Sequence, residues 1–247
     1  FIHGDYNAMG LNQDFDRPYV KQLDALCTVS EGCKAALEDN FPEFQEKFHV
    51  IYNIISARFL RKMAEEPANF KDGFQGSRVL TIARLSTQKG LDLALPAIAA
   101  LREKGLKFRW YIIGVGPEEE SLKEQARSLG IEQNVCFLGE QANPYPFLRA
   151  CEVYLQPSRF EGKSIAVDEA MVLCKPILLT DFSTAADQVT SGKNGLIVPM
   201  TPEGIAEGLE KLLTDSALRK EFHNALAAED FTNENEIEKV YSLLSIE

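Results

Sequence analysis

Short apolar runs alternate with longer amphipathic segments along most of this 247-residue chain. The apolar runs predict strands at 23–30, 47–53, 78–83, 108–114, 134–139, 151–156, 176–180 and 195–199. The run at 108–114 is nearly all apolar, which is typical of a strand that is covered on both faces. Strands that alternate with helices at this pitch indicate an α/β fold with a doubly wound, Rossmann-like parallel sheet.

Apolar residues at helical spacing and local capping signals predict the helices that connect these strands. The predicted helices cover 16–22, 31–40, 56–66, 91–104, 117–130, 204–213, 216–228 and 234–244. Ser30 is a good N-cap for the second of them. Pro96 lies within the predicted helix that ends near 104, so we expect either a first turn or a kink there.

The segment 67–77 is rich in Pro, Gly, Asn and Asp, and it reads as a linker between two units. The predicted organisation is therefore a first unit at 1–66, the linker, a second unit at 78–230 and a final helical segment at 231–247. The chain begins at Phe1 inside what resembles a strand end. We therefore expect it to be part of a longer polypeptide.

Composition narrows the class of protein. An apolar content of 45% and a charged content of 26% are ordinary for a globular protein, and no apolar run reaches the length that spans a bilayer. The net charge of −11 argues against general nucleic-acid binding, which depends on a cationic surface. Five cysteines without metal-ligand spacing are best read as buried thiols in a reducing cytosol. We expect a cytoplasmic location, with contact at the inner face of a membrane left open.

The stretch 157–171 carries the strongest candidate chemistry. It follows an apolar strand and includes Glu161, Gly162, Lys163, Ser164 and Glu169 before and within a predicted helix. A loop that contains glycine and leads into a helix N-terminus presents free N–H groups and a positive dipole end to an anion. The stretch therefore predicts a phosphate or diphosphate site. Acidic residues near helix starts are also common for stability alone, so either glutamate by itself is more consistent with a surface role.

Two cations follow the strand at 78–83, and we expect them at the same edge of the sheet, because the carboxyl ends of parallel strands lie together. Arg84 can bind phosphate oxygens in a bidentate manner, and Lys89 supplies a point charge. Gly114, Gly116 and Gly139 follow the next two strands and could let the backbone approach a ligand closely. Taken singly, the cations could be solvated loop charges and the glycines could serve turn geometry.

Histidines and hydrolytic motifs add less. His49 lies in a predicted strand and His223 on an amphipathic helix, where structural or solvated roles are expected. His3 ends a strand-like segment, a position from which a loop residue could face a cleft. The sequence contains no G-x-S-x-G turn with a Ser-His-Asp order, no HExxH and no paired-cysteine metal pattern.

Five segments occur in an order that resembles a known family: ARLSTQKG, IIGVGPEEE, NVCFLG, PSRFEGKSIAVDEAM and SGKNGLIVP. They are similar to the donor-binding C-terminal domain of retaining glycosyltransferases with the GT-B fold, glycosyltransferase family 4. The hallmark of two glutamates separated by seven residues reads here as Glu161 and Glu169. Ala83 departs from the glycine that is usual before the arginine, and Lys163-Ser164-Ile165 departs from the usual residues after Glu-Gly.

The resemblance implies a role for each candidate at the diphosphate. Arg84 and Lys89 would hold the diphosphate and stabilise charge on the departing nucleotide. The amides of Lys163, Ser164 and Ile165 would receive phosphate oxygens, with Gly162 beside them. Because the cations can neutralise the diphosphate, the resemblance implies neither a metal nor another cofactor.

The resemblance also assigns the sugar and nucleoside contacts. Glu169 would bind the ribose hydroxyls, Glu161 would contact the donor sugar, and His3 would face that sugar. Gly139 and its neighbours would touch the base through backbone atoms, with Gly114 and Gly116 at the same edge. Residues 1–56 would be the tail of an N-terminal acceptor-binding domain, against which the final helix packs.

The function implied is transfer of a sugar, with retention, from a UDP- or GDP-sugar donor to a polysaccharide, glycolipid or similar acceptor. On this hypothesis the chain alone binds the donor nucleotide and is inactive without the rest of the acceptor domain. Two alternatives remain open at this point: a nucleotide-sugar epimerase, and a catalytically silent nucleotide-binding module. No nucleic-acid partner and no transmembrane segment are expected.

Overall fold

The computed structural model describes residues 2–70 and 72–244, so the predictions for Phe1, Lys71 and 245–247 lie outside the described residues. In that part of the chain the helices α1 to α10 are, in order, Gln13–Gln22, Glu31–Asn40, Ala57–Met63, Leu91–Glu103, Glu119–Ser128, Tyr145–Ala150, Ile165–Val172, Pro202–Thr214, Ser216–Ala227 and Glu236–Leu244. The strands β1 to β8 are Leu26–Thr28, Phe48–Val50, Ser77–Ile82, Phe108–Ile113, Val135–Gly139, Val153–Gln156, Ile177–Thr180 and Gly195–Val198.

Six strands form one parallel sheet in the order β5-β4-β3-β6-β7-β8. The chain runs outward from β3 to β5, then crosses back to β6 and continues to the other edge. This is the doubly wound arrangement, and it confirms the predicted α/β fold class. The order reverses between β3 and β6, so the crevice outside their carboxyl ends is where such a sheet places its ligand.

Side chains of β4 alternate between the two faces of this sheet. Trp110 and Ile112 pack in the core beneath α4, α5 and α8, while Tyr111 and Ile113 pack in the core that includes residues of α6 and α7. All four are buried. Helices therefore cover both faces, which explains why the run at 108–114 is apolar without alternation.

A smaller parallel pair, β1 and β2, lies in the first part of the chain, with Ile2 bridged to Thr28 on the other side of β1. Each strand has three residues, shorter than the predicted runs, because regular pairing stops where the backbone turns into α2 and towards α3. The Ser30 hydroxyl accepts a hydrogen bond from the Cys33 amide at 3.1 Å, which confirms the predicted N-cap of α2.

Pro96 lies inside α4, and the helix continues through it. Proline cannot donate to the carbonyl four residues earlier, that of Asp92. The side-chain amide of Gln125, on α5, donates to this carbonyl at 3.0 Å. A neighbouring helix thus replaces the missing hydrogen bond.

The segment that includes α10 contacts the first part of the chain directly. The Glu236 carboxylate accepts a hydrogen bond from the Tyr52 amide at 3.0 Å. The Asn233 side chain donates to the Asn53 carbonyl at 2.8 Å and accepts from the Ile55 amide at 3.0 Å. These bonds hold the end of the described chain against residues 52–55.

The cysteines are free thiols throughout the described part of the chain. Cys33 and Cys151 are buried, as the sequence suggests, and burial raises the pKa of Cys151 to about 12. Cys27, Cys136 and Cys174 are only half-buried. No helix among the described residues combines the length and the apolar character needed to cross a membrane.

Candidate active site

The loops that follow β3 and β6 are joined at the point where the strand order reverses. The Arg159 amide donates to the Gln88 carbonyl at 2.8 Å, and the Gln88 side chain returns a bond to the Phe160 carbonyl at 3.0 Å. A Cβ atom at Gly90, where φ is +60°, would lie 2.0 Å from the Pro157 carbonyl oxygen. Glycine is therefore required at position 90 for the two loops to touch.

An ion pair between Arg159 and Asp92, which the sequence does not predict, also joins these loops. The Arg159 guanidinium binds both carboxylate oxygens of Asp92 at 2.7 Å, and it also donates to the Thr87 carbonyl at 2.7 Å. These hydrogen bonds lower the pKa of Asp92. Because the two charges neutralise each other, we assign this pair a structural role: it holds the two loops of the site together.

Lys89 and Glu161 form an ion pair between the two loops, with Nζ and Oε1 separated by 2.6 Å. The same Oε1 accepts hydrogen bonds from Gln156 at 3.0 Å and from the Ser158 hydroxyl at 2.6 Å. The Tyr154 hydroxyl donates to Gln156 at 2.6 Å and orients it. The side chains of Lys89 and Glu161 are only 19% and 6% exposed. The sequence predicts both residues for the site, and the structure adds that they are partners.

Arg84 lies at the rim of a cavity of about 270 Å³ at the carboxyl ends of β3, β4 and β5. The cavity is lined by Ile82, Ala83, Arg84, Ile113, Gly114, Val115, Glu140, Gln141 and Pro144. Arg84 is exposed. Across residues 2–70 and 72–244 its side chain forms no hydrogen bond or ion pair, so the five N–H donors of the guanidinium are available to a ligand.

The glycines at this edge of the sheet allow the loops around the cavity to pack closely. The Gly114 amide donates to the Gly139 carbonyl at 2.9 Å. A Cβ atom at Gly114 would lie 2.0 Å from the Ala83 carbonyl oxygen, and one at Gly116 would lie 2.2 Å from that of Leu85. Close packing against the Arg84 loop therefore explains glycine at 114 and 116. Gly139, with φ +64°, faces open space, and ligand contact by any of the three stays a prediction.

The loop before α7 is placed against the first residues of the chain. A Cβ atom at Gly162 would lie 2.1 Å from the His3 carbonyl oxygen, so the two backbones are in direct contact. His3, whose side chain is exposed, is thereby held next to the predicted anion loop. His49 and His223 lie outside the lining of the Arg84 cavity, and His223 bonds to the Cys174 carbonyl at 3.0 Å.

Two of the predicted anion-binding groups in this loop have protein partners. Gln188 accepts a hydrogen bond from the Ser164 amide at 2.9 Å and donates to the Ser164 carbonyl at 2.8 Å. Lys163 pairs with Asp168 at 3.0 Å. In this arrangement the Ser164 amide is not available to a phosphate. The amides of Lys163 and Ile165 donate to no other residue in the part of the chain that the structure describes.

Glu169 lies one turn into α7, and its carboxylate accepts a hydrogen bond from the Tyr145 hydroxyl at 2.8 Å. Burial raises the pKa of Glu169, the bond from Tyr145 opposes that rise, and the neighbouring Asp168 adds to it. Burial and the glutamate together raise the pKa of Tyr145 to about 12. Nothing in the sequence signals this contact, because Tyr145 and Glu169 are 24 residues apart.

A Glu169→Gln variant is expected to be more stable than the natural protein near neutral pH. The folded protein raises the pKa of Glu169, so it binds this proton more tightly than the unfolded chain does. The stability contributed by this group is therefore present at low pH and is lost as the pH rises through the folded pKa. Glutamine removes the buried charge and still accepts from Tyr145, which should raise stability on the order of 1 kcal/mol, or about 2–4 °C.

Thermal unfolding from roughly pH 4 to 8 would measure this effect. The gain should grow with pH, while the exposed carboxylate of Glu124, changed to Gln, serves as the matched control. Curves for Glu169→Gln and the natural protein that stay parallel across this range would contradict the assignment.

The family model for glycosyl transferases group 1 matches residues 67–228, which include both loops, the cavity and α7. The chain therefore belongs to the group 1 glycosyl transferases. The match spans the whole six-stranded sheet and stops before the α10 segment.

Curated relatives carry the same class name. An N-acetylgalactosaminyltransferase of Campylobacter jejuni, which acts on a diphospho-undecaprenol-linked acceptor according to its name, is 29% identical over 226 residues, covering 91% of this chain and 60% of the relative. An uncharacterized glycosyltransferase of Methanocaldococcus jannaschii is 26% identical over 260 residues, covering 90% and 62%. The chain thus spans about three fifths of the length of these relatives.

Solved structures share the fold. HepE from Anabaena, in complex with UDP, aligns with a TM-score of 0.85 at 20% identity, covering 99% of this chain and 71% of that one. TarM from S. aureus, in complex with UDP and other ligands, aligns with a TM-score of 0.80 at 20% identity, covering 98% and 49%. The chain therefore shares its fold, which is the GT-B fold, with these structures.

Proposed function

We infer that this chain forms the donor side of a retaining glycosyltransferase of family 4, which transfers a sugar from a UDP- or GDP-sugar. The acceptor is a polysaccharide, a glycolipid or a similar molecule that meets the enzyme at the cytoplasmic face of a membrane. The chain spans about three fifths of the length of its curated relatives. This supports a complete reaction that also needs the part that these relatives have in addition. In this reaction the described chain binds and activates the donor.

Arg84, at the rim of the cavity, carries the proposal. Its guanidinium is exposed, pairs with no carboxylate among the described residues and lies beside a cavity at the point where the strand order reverses, so it fits an anionic ligand. The buried pair of Lys89 and Glu161 lies on the adjoining loop, and Glu169 lies one turn into α7. A nucleotide diphosphate sugar has groups for each of them: a diphosphate for the cations, a ribose for Glu169 and a hexose for Glu161.

The proposed reaction depends on stabilisation of the negative charge that develops on the leaving group. Departure of the nucleoside diphosphate leaves negative charge on its phosphate oxygens, and Arg84 and Lys89 would stabilise that charge. Glu161 keeps Lys89 in position through their 2.6 Å ion pair. The amides of Lys163 and Ile165, at the start of α7, would add N–H donors to the same oxygens. His3 would lie beside the sugar, because its backbone contacts Gly162.

An Arg84→Ala variant is expected to bind UDP about 10- to 100-fold more weakly than the natural protein. A hydrogen bond to a charged group contributes about 1.5–3 kcal/mol, and each 1.4 kcal/mol changes affinity about tenfold. Calorimetric titration with UDP, GDP and ADP would measure this. Arg127→Ala, which removes an exposed arginine of α5 that pairs with Glu124, is the matched control and should bind normally.

Equal affinities of the Arg84→Ala variant and the natural protein would overturn the site assignment. The same titration repeated in EDTA tests the proposal that donor binding needs no metal, because Arg84 and Lys89 supply the positive charge. Product analysis with the full-length polypeptide would then separate sugar transfer from epimerisation of the nucleotide sugar.

A further inference from the structure

Tyr145 occupies a position between the cavity and α7 to which the proposed function gives no role. It is the first residue of α6, next to Pro144 in the cavity wall. Its amide is bound by the Asn143 side chain at 3.3 Å, and Asn143 is itself anchored to the Met63 carbonyl at 2.9 Å. The start of α6 is thus fixed independently of any ligand.

The phenol of Tyr145 determines how the carboxylate of Glu169 is oriented. It donates to Oε1 of Glu169 at 2.8 Å, and within the described residues no other side chain or amide donates to that carboxylate. A carboxylate has two acceptor oxygens, so one is fixed by the phenol and the other is left for a ligand. Without this bond the buried carboxyl group could rotate.

The surroundings of Glu169 otherwise oppose its charge. Burial raises its pKa, and the like charge of Asp168 on the same helix adds to the rise. Tyr154, on β6, also interacts electrostatically with Glu169, but its phenol bonds to Gln156. The Tyr145 phenol is the hydrogen-bonding group that favours the ionised form.

We propose that Tyr145 is a positioning residue for the nucleotide, because its phenol binds one carboxylate oxygen of Glu169 and so directs the other oxygen towards the ribose hydroxyls. The inference rests on the proposed function, in which Glu169 binds the ribose. A sugar hydroxyl donates best to an ionised acceptor with a fixed direction. Tyr145 would therefore act on the ligand only through Glu169.

A double-mutant cycle between Tyr145→Phe and Glu169→Ala, which removes the acceptor of the phenol, tests this directly. Calorimetry with UDP should show binding about 5- to 10-fold weaker for Tyr145→Phe, the size expected for loss of one hydrogen bond. In the Glu169→Ala background the same change should have little further effect, because the phenol then has no carboxylate to orient. Fully additive losses would overturn the inference.

The pH profile of binding separates this role from simple packing. Loss of the phenol should let the pKa of Glu169 rise further, so UDP affinity should fall at a higher pH in Tyr145→Phe than in the natural protein. Ionisation of UDP itself is the same for both proteins and cancels in the comparison. An unshifted profile would overturn the inference, since a packing role would weaken binding equally at every pH.

Tyr111→Phe is the matched control. Tyr111 is a buried tyrosine whose phenol also donates to a carboxylate, that of Asp72, outside the lining of the cavity. It should lower the melting temperature without changing UDP affinity or its pH profile. A natural protein that binds none of UDP, GDP and ADP overturns the proposed function and this inference together. Weaker UDP binding in Glu169→Ala with unchanged binding in Tyr145→Phe overturns the inference alone.

Discussion

Replacing Lys89 by methionine is expected to lower the free energy of unfolding by about 3–5 kcal/mol and to abolish measurable UDP binding. Methionine keeps most of the length of the side chain but removes its charge. Glu161, whose side chain is 6% exposed, would then be a buried carboxylate with Gln156 and Ser158 as its neutral donors. Such a charge is costly because the protein interior solvates it poorly.

A second substitution separates the loss of stability from the loss of function. In Lys89→Met with Glu161→Gln, no buried charge is left unpaired, so most of the lost stability should return. UDP binding should not return, because the cation proposed to face the diphosphate is still missing. Chemical denaturation and calorimetry on the same samples would measure both quantities.

Lys123→Met provides the matched control for this pair. Lys123 also binds carboxylates, those of Glu119 and Glu120, but it lies on the exposed face of α5. Exposed ion pairs contribute little to stability, so this variant should unfold and bind as the natural protein does. Recovery of UDP binding in the double variant would show that Lys89 serves only to neutralise Glu161.

The alternation of apolar runs and amphipathic segments is sufficient to predict the sheet, because each strand and helix is specified by residues close together in the chain. The predicted strand at 108–114 corresponds to Phe108–Ile113, and the predicted N-cap at Ser30 forms. Helix α1 begins earlier than predicted, at Gln13, because the Asn12 side chain caps it. The start of this helix is set by a polar capping residue, and the spacing of apolar residues gives no information about such a cap.

Contacts between distant residues explain what the sequence could not predict at the site. Lys89 and Glu161 are both predicted site residues, but their ion pair joins positions 72 residues apart. Gln188 blocks the Ser164 amide from a position 24 residues further along. A glutamine in a loop has no sequence pattern that predicts such a contact. Of the three amides predicted to bind phosphate, those of Lys163 and Ile165 therefore remain available.

The surroundings of individual glycines are likewise not predictable from the sequence. Gly114 and Gly105 are both glycines after a helix or strand, and both have positive φ, at +134° and +78°. The sequence marks Gly114 as a candidate only because it follows a predicted strand, and it does not show what packs against either glycine. In the structure a Cβ atom at 105 would meet open space, whereas one at 114 would meet the loop that carries Arg84. Backbone packing, which one sequence does not reveal, therefore distinguishes an ordinary turn from the frame of the site.

Replacing Gly114 by alanine is accordingly expected to lower the free energy of unfolding by about 3 kcal/mol or more and to weaken UDP binding strongly. Two costs add at this position. The backbone conformation costs an alanine about 1–3 kcal/mol, and the contact with the Ala83 carbonyl oxygen, at 2.0 Å, cannot be relieved by a rotamer change. The Arg84 loop must move to admit the methyl group, so the cavity rim should be displaced. In thermal unfolding the stability loss corresponds to roughly 10 °C.

Gly105→Ala isolates the first cost from the second. It introduces the same methyl group at a positive φ with nothing within 4 Å, so the expected loss is about 1–2 kcal/mol, with UDP binding unchanged. The difference between the two variants then measures the contact between the Gly114 and Ala83 loops. If Gly114→Ala and Gly105→Ala lose the same stability and both keep normal UDP affinity, packing of these loops does not support the nucleotide site.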